Sequence, residues 1–236
     1  KTQALLRGSA DMEVDGNLFL LKLCGAEVRW CTPDEYLDRN KVMAEMAGIA
    51  RSLGATPYVI PEGGSNARGA MGYVAAMIEI EDQLEKENLQ FDTVVCAVGS
   101  GGTLAGLTAG SALLQSRAHI VGFNVCDDAE YFEKISASIQ NELAEEFGLH
   151  EANQRSPKIV DGFVGPGYAI SGKGDHQMII KMARSEGLIL DPAYTAKAFY
   201  GLSERIQSNA KEIGERILFL HSGGSFGLFP HRSSFF

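Results

Sequence analysis

Positive charge is what this sequence lacks most clearly. Its 21 Lys and Arg stand against 30 Asp and Glu, a formal net charge of −9. No Lys/Arg run offsets that balance. A nucleic-acid partner needs a basic face to neutralise phosphates, so that class of function is excluded. Long apolar runs are missing as well. No stretch approaches the ~20 residues of a membrane-spanning helix, and nothing at the start reads as a signal peptide, so no membrane partner is expected. Cysteine is scarce: Cys24, Cys31, Cys96 and Cys126 stand at spacings that suit neither a metal site nor a disulfide framework. Cys96 and Cys126 lie in apolar runs and read as buried structural thiols. A reducing cytoplasm is the expected compartment.

What is present is an ordinary hydrophobic share, 45%, and 27 glycines in 236 residues. Many of those glycines are clustered, which draws attention to the loops. The chain opens on Lys1-Thr-Gln-Ala-Leu-Leu-Arg7 as though a strand were under way, without a methionine, and reads as an N-terminally incomplete fragment. Strand-like and helix-like segments then alternate. Strands are expected at Ala4–Arg7, Glu27–Cys31, Thr93–Val98, His119–Val125 and Arg216–Leu220, with Pro57–Ile60 extended. Helices are expected at Gly16–Leu23, Asn40–Leu53, Thr103–Leu114, Asp128–Phe147, Asp175–Ser185 and Tyr194–Ile206. One more follows from Ala70, Val74, Met77, Ile78 and Leu84 at helical spacing. Thr93–Val98 is a continuous apolar run, the mark of a parallel strand buried on both faces. Alternation of this kind implies an α/β fold with doubly wound parallel sheets, whose ligands bind at the carboxyl ends of the strands.

Three glycine–hydroxyl clusters follow predicted strands. In Val98-Gly99-Ser100-Gly101-Gly102-Thr103, glycines let the backbone approach an anion, and the helix that follows aims unpaired N–H groups at it. Ser100 and Thr103 add hydroxyl donors, which makes this a phosphate cup. Leu104 breaks the GxGxxG spacing of a dinucleotide site, there is no GK[ST] of a P-loop, and Ser100 is not in a nucleophile elbow. A purely structural turn is the remaining alternative. His221-Ser222-Gly223-Gly224 and Gly63-Gly64-Ser65-Asn66 would meet the first cluster at one rim of the sheet.

Five motifs in order carry a resemblance: Pro61-Glu62-Gly63-Gly64-Ser65-Asn66, Gly99-Ser100-Gly101-Gly102-Thr103, Gly167-Tyr168-Ala169, Asp191-Pro192-Ala193-Tyr194-Thr195 and His221-Ser222-Gly223-Gly224. Together they cover nearly the whole chain. They resemble the D-cysteine desulfhydrase and 1-aminocyclopropane-1-carboxylate (ACC) deaminase family, pyridoxal-phosphate enzymes of tryptophan-synthase-β-like fold. The resemblance implies pyridoxal 5'-phosphate as cofactor and a small amino acid as substrate. It implies that Gly99, Ser100, Gly101, Gly102 and Thr103 cradle the cofactor phosphate, that Thr195 and Ser222 contact the cofactor, with the Ser222 hydroxyl facing the pyridine nitrogen, and that Tyr168 and Tyr194 are catalytic. Ser65 and Asn66 would border the substrate.

Two positions separate activities within that family. The deaminase is similar but carries Glu where Thr195 stands and Leu where Ser222 stands. A carboxylate would hold the pyridinium proton and strengthen the electron sink, and a hydroxyl does so less. Opening a cyclopropane needs the stronger sink, so β-elimination from D-cysteine is the expectation, with ACC deamination, L-cysteate sulfo-lyase activity or a non-catalytic phosphate-ligand module as alternatives. The family's Schiff-base lysine matches no lysine here, so the chain as given is expected not to turn over substrate. Lys197 reads as part of a solvated helix face. Residues 1–60 are expected to be the remnant of a small domain and 61–236 a large cofactor-binding domain, homodimeric when complete.

Overall fold

The computed structural model describes residues 1–167 and 170–235, with the side chains of 209 and 210 left aside. The chain divides into two compact units, 1–61 with 226–234, and 62–225 with Phe235.

The first unit holds a two-stranded parallel sheet, β1 (Gln3–Arg7) beside β2 (Glu27–Cys31), joined by helix α1 (Gly16–Leu23). Asp15 opens α1 by accepting a hydrogen bond from Gly16 N at 2.7 Å. After β2 come two helices, α2 (Pro33–Leu37) and α3 (Arg39–Ser52). The first was not expected, although its signature is local. Thr32 and Glu35 form a capping box, with Thr32 N donating to Glu35 Oε2 at 2.8 Å and Glu35 N to Thr32 Oγ1 at 3.2 Å, and Pro33 stands at the first helical position. Pro57–Ile60 joins no ladder. A 3₁₀ segment, Ser225–Ser234, follows β6 near the end of the described chain.

The second unit is built on a four-stranded sheet in the order β5-β4-β3-β6, every neighbouring pair parallel. Its strands are β3 (Thr93–Val98), β4 (His119–Asn124), β5 (Ile159–Val160) and β6 (Ile217–Phe219). Thr93 pairs with His119 on one side and Ile217 on the other, so β3 is central and all its residues are buried. That explains its unbroken apolar run: each face meets a layer of helices. Val94, Cys96 and Val98 pack with Met77, Leu104 and Leu107, while Val95 and Ala97 pack with Phe123, Ala198 and Leu202. The two-residue β5 was too short to show a period.

The helices are α4 (Ala67–Glu87), α5 (Gly102–Leu113), α6 (Ala129–Phe147), α7 (Lys173–Glu186) and α8 (Thr195–Ile213). Helix α5 is buried along nearly its whole length. It can lie so close to α4 because Gly110 faces that helix: a Cβ there would fall 2.7 Å from Met77 Cβ. Because the sheet is parallel, the loops that leave β3, β4, β5 and β6 emerge at one edge, where the glycine clusters lie.

Candidate active site

Helix α5 begins on a glycine. Gly101 caps it at φ +88, a left-handed conformation that costs other residues about 1 kcal/mol or more. It carries no side chain to satisfy the first N–H groups, which an α-helix leaves unpaired. Gly102 N donates to Ser65 Oγ at 3.1 Å, and Ser65 Oγ donates to Ser100 Oγ at 2.7 Å. The 63–66 loop is thereby tied to the 99–102 loop. The approach is tight, because a Cβ on Gly102 would fall 2.7 Å from Ser65 Oγ. Asn66 faces its own helix, its side-chain oxygen accepting from Gly69 N at 2.9 Å to cap α4. Thr103 is half-buried in the first turn of α5.

Tyr194 reaches the same rim. A Cβ on Gly99 would lie 3.0 Å from Tyr194 Cε1, so the ring rests directly on the loop. Cys126 lies here too, half-buried rather than in the core, its thiol 3.8 Å from the Gly99 carbonyl. Burial chiefly, then Asp127 and Glu62, pushes that thiol up to about 12, with Lys197 opposing. A thiol held that high stays protonated near neutral pH and gains no thiolate reactivity. Cys96 is buried in β3 as expected, and burial pushes its thiol up to about 12 as well.

Asp191 closes the start of α8. Its Oδ2 accepts from Ala193 N at 2.8 Å and Tyr194 N at 2.9 Å, and its Oδ1 from Thr195 N at 2.8 Å and Thr195 Oγ1 at 2.6 Å. Asp191 N donates in turn to Thr195 Oγ1 at 2.7 Å. The Thr195 hydroxyl is therefore fully buried and engaged with Asp191. The 222–224 turn stands against the same carboxylate, since a Cβ on Gly224 would come within 2.5 Å of Asp191 Cγ. His221 holds that turn: Gly223 N donates to its Nδ1 at 3.3 Å, which leaves Nε2 to donate to the Ile189 carbonyl at 2.8 Å. Ser222 is exposed in the turn. Tyr168 lies outside the described residues.

Ser65, Ser100, Gly102, Gly99, Tyr194, Asp191, Thr195 and the 222–224 turn thus form one continuous series of contacts along the carboxyl edge of the sheet. Two contributors went unassigned in the sequence. Asp191 and His221 sat inside quoted motifs without a role. Lys197 is a correction. It does not lie on a solvated face but is fully buried, with Nζ donating to the carbonyls of Gly167 at 2.6 Å and Val164 at 2.7 Å. Periodicity in α8 cannot reveal this, because its partners are 30 and 33 residues away in sequence.

A parallel sheet with glycine loops at its carboxyl edge defines a class of α/β ligand-binding enzymes. The family model for pyridoxal-phosphate-dependent enzymes matches residues 9–223. A Thermotoga maritima protein named "Putative 1-aminocyclopropane-1-carboxylate deaminase" is 44% identical over 92% of this chain and 67% of its own length. The mitochondrial bifunctional D-cysteine desulfhydrase/1-aminocyclopropane-1-carboxylate deaminase of Arabidopsis thaliana is 38% identical over 97% of this chain and 57% of its own. A crystal structure of an ACC deaminase homologue superposes with a TM-score of 0.87 at 36% identity, over 98% of this chain and 68% of that one. The chain belongs to the pyridoxal-phosphate-dependent enzyme family. It spans about two thirds or less of the length of these relatives. The residues present suit the cofactor's phosphate: a left-handed glycine cap at the start of α5, and two hydroxyls, Ser65 and Ser100, bonded to each other beside Gly102 N.

Proposed function

We propose that this chain carries the cofactor-binding side of a pyridoxal-phosphate-dependent lyase that eliminates a β-substituent from a small amino acid, D-cysteine foremost. The carrying observation is the pair Thr195 and Ser222, hydroxyl residues where the deaminase pattern has Glu and Leu. Thr195 adds a reason of its own. Its hydroxyl is engaged with Asp191 from both sides, which leaves Ser222 as the group of this pair exposed to a ligand.

On this reading the second unit binds the cofactor, whose ring supplies an electron sink for charge developing at the substrate α-carbon. The backbone N–H groups of Gly99–Gly102, with Ser100 and Thr103, hold the phosphate at the N-terminus of α5. Ser222 offers a hydroxyl to the pyridine nitrogen. Tyr194, set against Gly99, is placed to hold or pass a proton, and Tyr168 is assigned the same duty. Ser65 and Asn66 border the substrate. Homodimerisation and a cytoplasmic location belong to the same proposal. Among the described residues no helix is long and apolar enough to cross a membrane.

The test compares kcat/KM of the full-length protein on D-cysteine and on ACC. Sulfide and pyruvate release from D-cysteine should exceed ring opening by at least about 10-fold, a difference of about 1.4 kcal/mol in transition-state binding. A preference for ACC would favour the activity named for the Thermotoga relative and refute the electron-sink argument.

A further inference from the structure

Lys197 is among the largest fully buried side chains of the molecule. It leaves the first turn of α8, two residues after Thr195. Besides Gly167 and Val164, its Nζ approaches the Val125 carbonyl at 3.4 Å. These acceptors come from two places, the residue after β4 and the connection between β5 and α7. An ammonium has three N–H donors and no acceptor, so three carbonyls use it fully, whereas a neutral amine would turn a lone pair toward one of them. Burial lowers the affinity of this amine for its proton, while Asp175, Cys126 and Asp191 act the other way. The three converging acceptors favour the charged form.

We propose that Lys197 is a tethered monovalent cation and a positioning residue: its ammonium fixes the 164–167 connection and the end of β4 to the first turn of α8, and so sets Tyr194 against the Gly99 loop. Backbone carbonyls gathered around a single positive charge are the coordination that K⁺ accepts in place of water. The cage would otherwise hold three carbonyl dipoles pointing at one another. Shortening the side chain therefore leaves a vacancy that recruits a cation of similar size from solution. The effect on turnover rests on the proposed lyase reading, and the effect on stability does not.

The test uses the full-length protein with its cofactor, as wild type, Lys197→Ala and Lys197→Met, in LiCl, KCl and NH₄Cl at equal ionic strength. In LiCl, Lys197→Ala should melt ~5 °C or more below wild type. K⁺ or NH₄⁺ should restore at least half of that loss, with saturation. Its kcat should fall about 100-fold with KM little changed, since small misplacements near the chemistry cost that much, and should recover in step with stability. Lys197→Met fills the space without charge and should stay impaired in every salt. Wild-type Lys197 should give an NMR signal of a charged, slowly exchanging NH₃⁺. The inference is overturned if Lys197→Ala ignores the cation or fails to fold in all three salts, if Lys197→Met matches wild type, or if the wild-type amine is neutral. Cation-restored stability without lyase activity would keep this inference and sink the proposed function.

Discussion

Two helices begin at the same edge of the sheet, and they begin differently. Helix α8 brings its own anion. The Asp191 carboxylate accepts four hydrogen bonds from residues 193–195 and balances the positive end of the helix from within the chain. Helix α5 starts on a glycine, and its Gly102 N–H meets only the neutral Ser65 hydroxyl. Both starts are buried at their caps, but one is saturated by a carboxylate and the other is built of backbone and hydroxyls. On the proposed reading, an external phosphate belongs at the α5 end, where no carboxylate is supplied. It also explains why Thr195 and Thr103, alike in type, act differently. The Thr195 hydroxyl completes a cap, while Thr103 lies half-buried in the first turn of α5.

The comparison can be broken in several ways. The largest effect concerns charge at the α5 end. A thiolate at Cys126 would compete with a bound anion, so the raised thiol matters. With its folded value at about 12 against 9 for an ordinary thiol, Cys126 stays protonated where a free thiol ionises. Stability from this group is present below pH 9 and declines as pH rises toward 12. At pH 9 its alkylation by iodoacetamide should run about 100-fold or more slower than that of exposed Cys24. Mass spectrometry of the labelled protein checks this, and equal rates would place a charge beside the phosphate cup.

Next is the closed end. Asp191→Ala leaves three N–H groups and the buried Thr195 hydroxyl without their acceptor, and should cost about 2–3 kcal/mol in urea denaturation. Sulfate should then stabilise the variant more than wild type, because α8 would have become a second open terminus. If sulfate favours neither, α8 was not balanced by Asp191. A smaller effect is expected at the open end. Gly102→Val drives a side chain into Ser65 and should weaken pyridoxal-phosphate binding by the full-length protein about 10-fold, read from cofactor absorbance. Unchanged binding would move the phosphate away from α5. The smallest change is Ser65→Ala, which removes the bonds to Ser100 and Gly102 and should cost about 1 kcal/mol of stability. Its loss should be less than additive with Ser100→Ala, since the two hydroxyls share one bond.

Much of this arrangement was written locally. Thr93–Val98 announced a strand buried on both faces because five consecutive apolar residues, Val94–Val98, leave neither face for water. The 99–102 and 222–224 clusters announced loops after β3 and β6 because left-handed and closely approached backbone suits little else, whereas no strand directly precedes the 63–66 cluster. The Thr32–Glu35 capping box was equally local and identifies a helix that hydrophobic periodicity, over five residues, cannot register.

Tertiary structure alone decided the rest. A lysine on a helix reads as solvated unless its surroundings are known, and the carbonyls that hold Lys197 are 30, 33 and 72 residues distant. The Thr195 hydroxyl reads as a ligand contact until Asp191 is seen beneath it. Gly224 reads as a turn until the Asp191 carboxylate is found where its side chain would be. Local pattern reports what the backbone can do and which face is apolar. Which polar group meets which is fixed only when separate loops are brought to one edge, because a buried donor is satisfied by whatever acceptor the fold delivers.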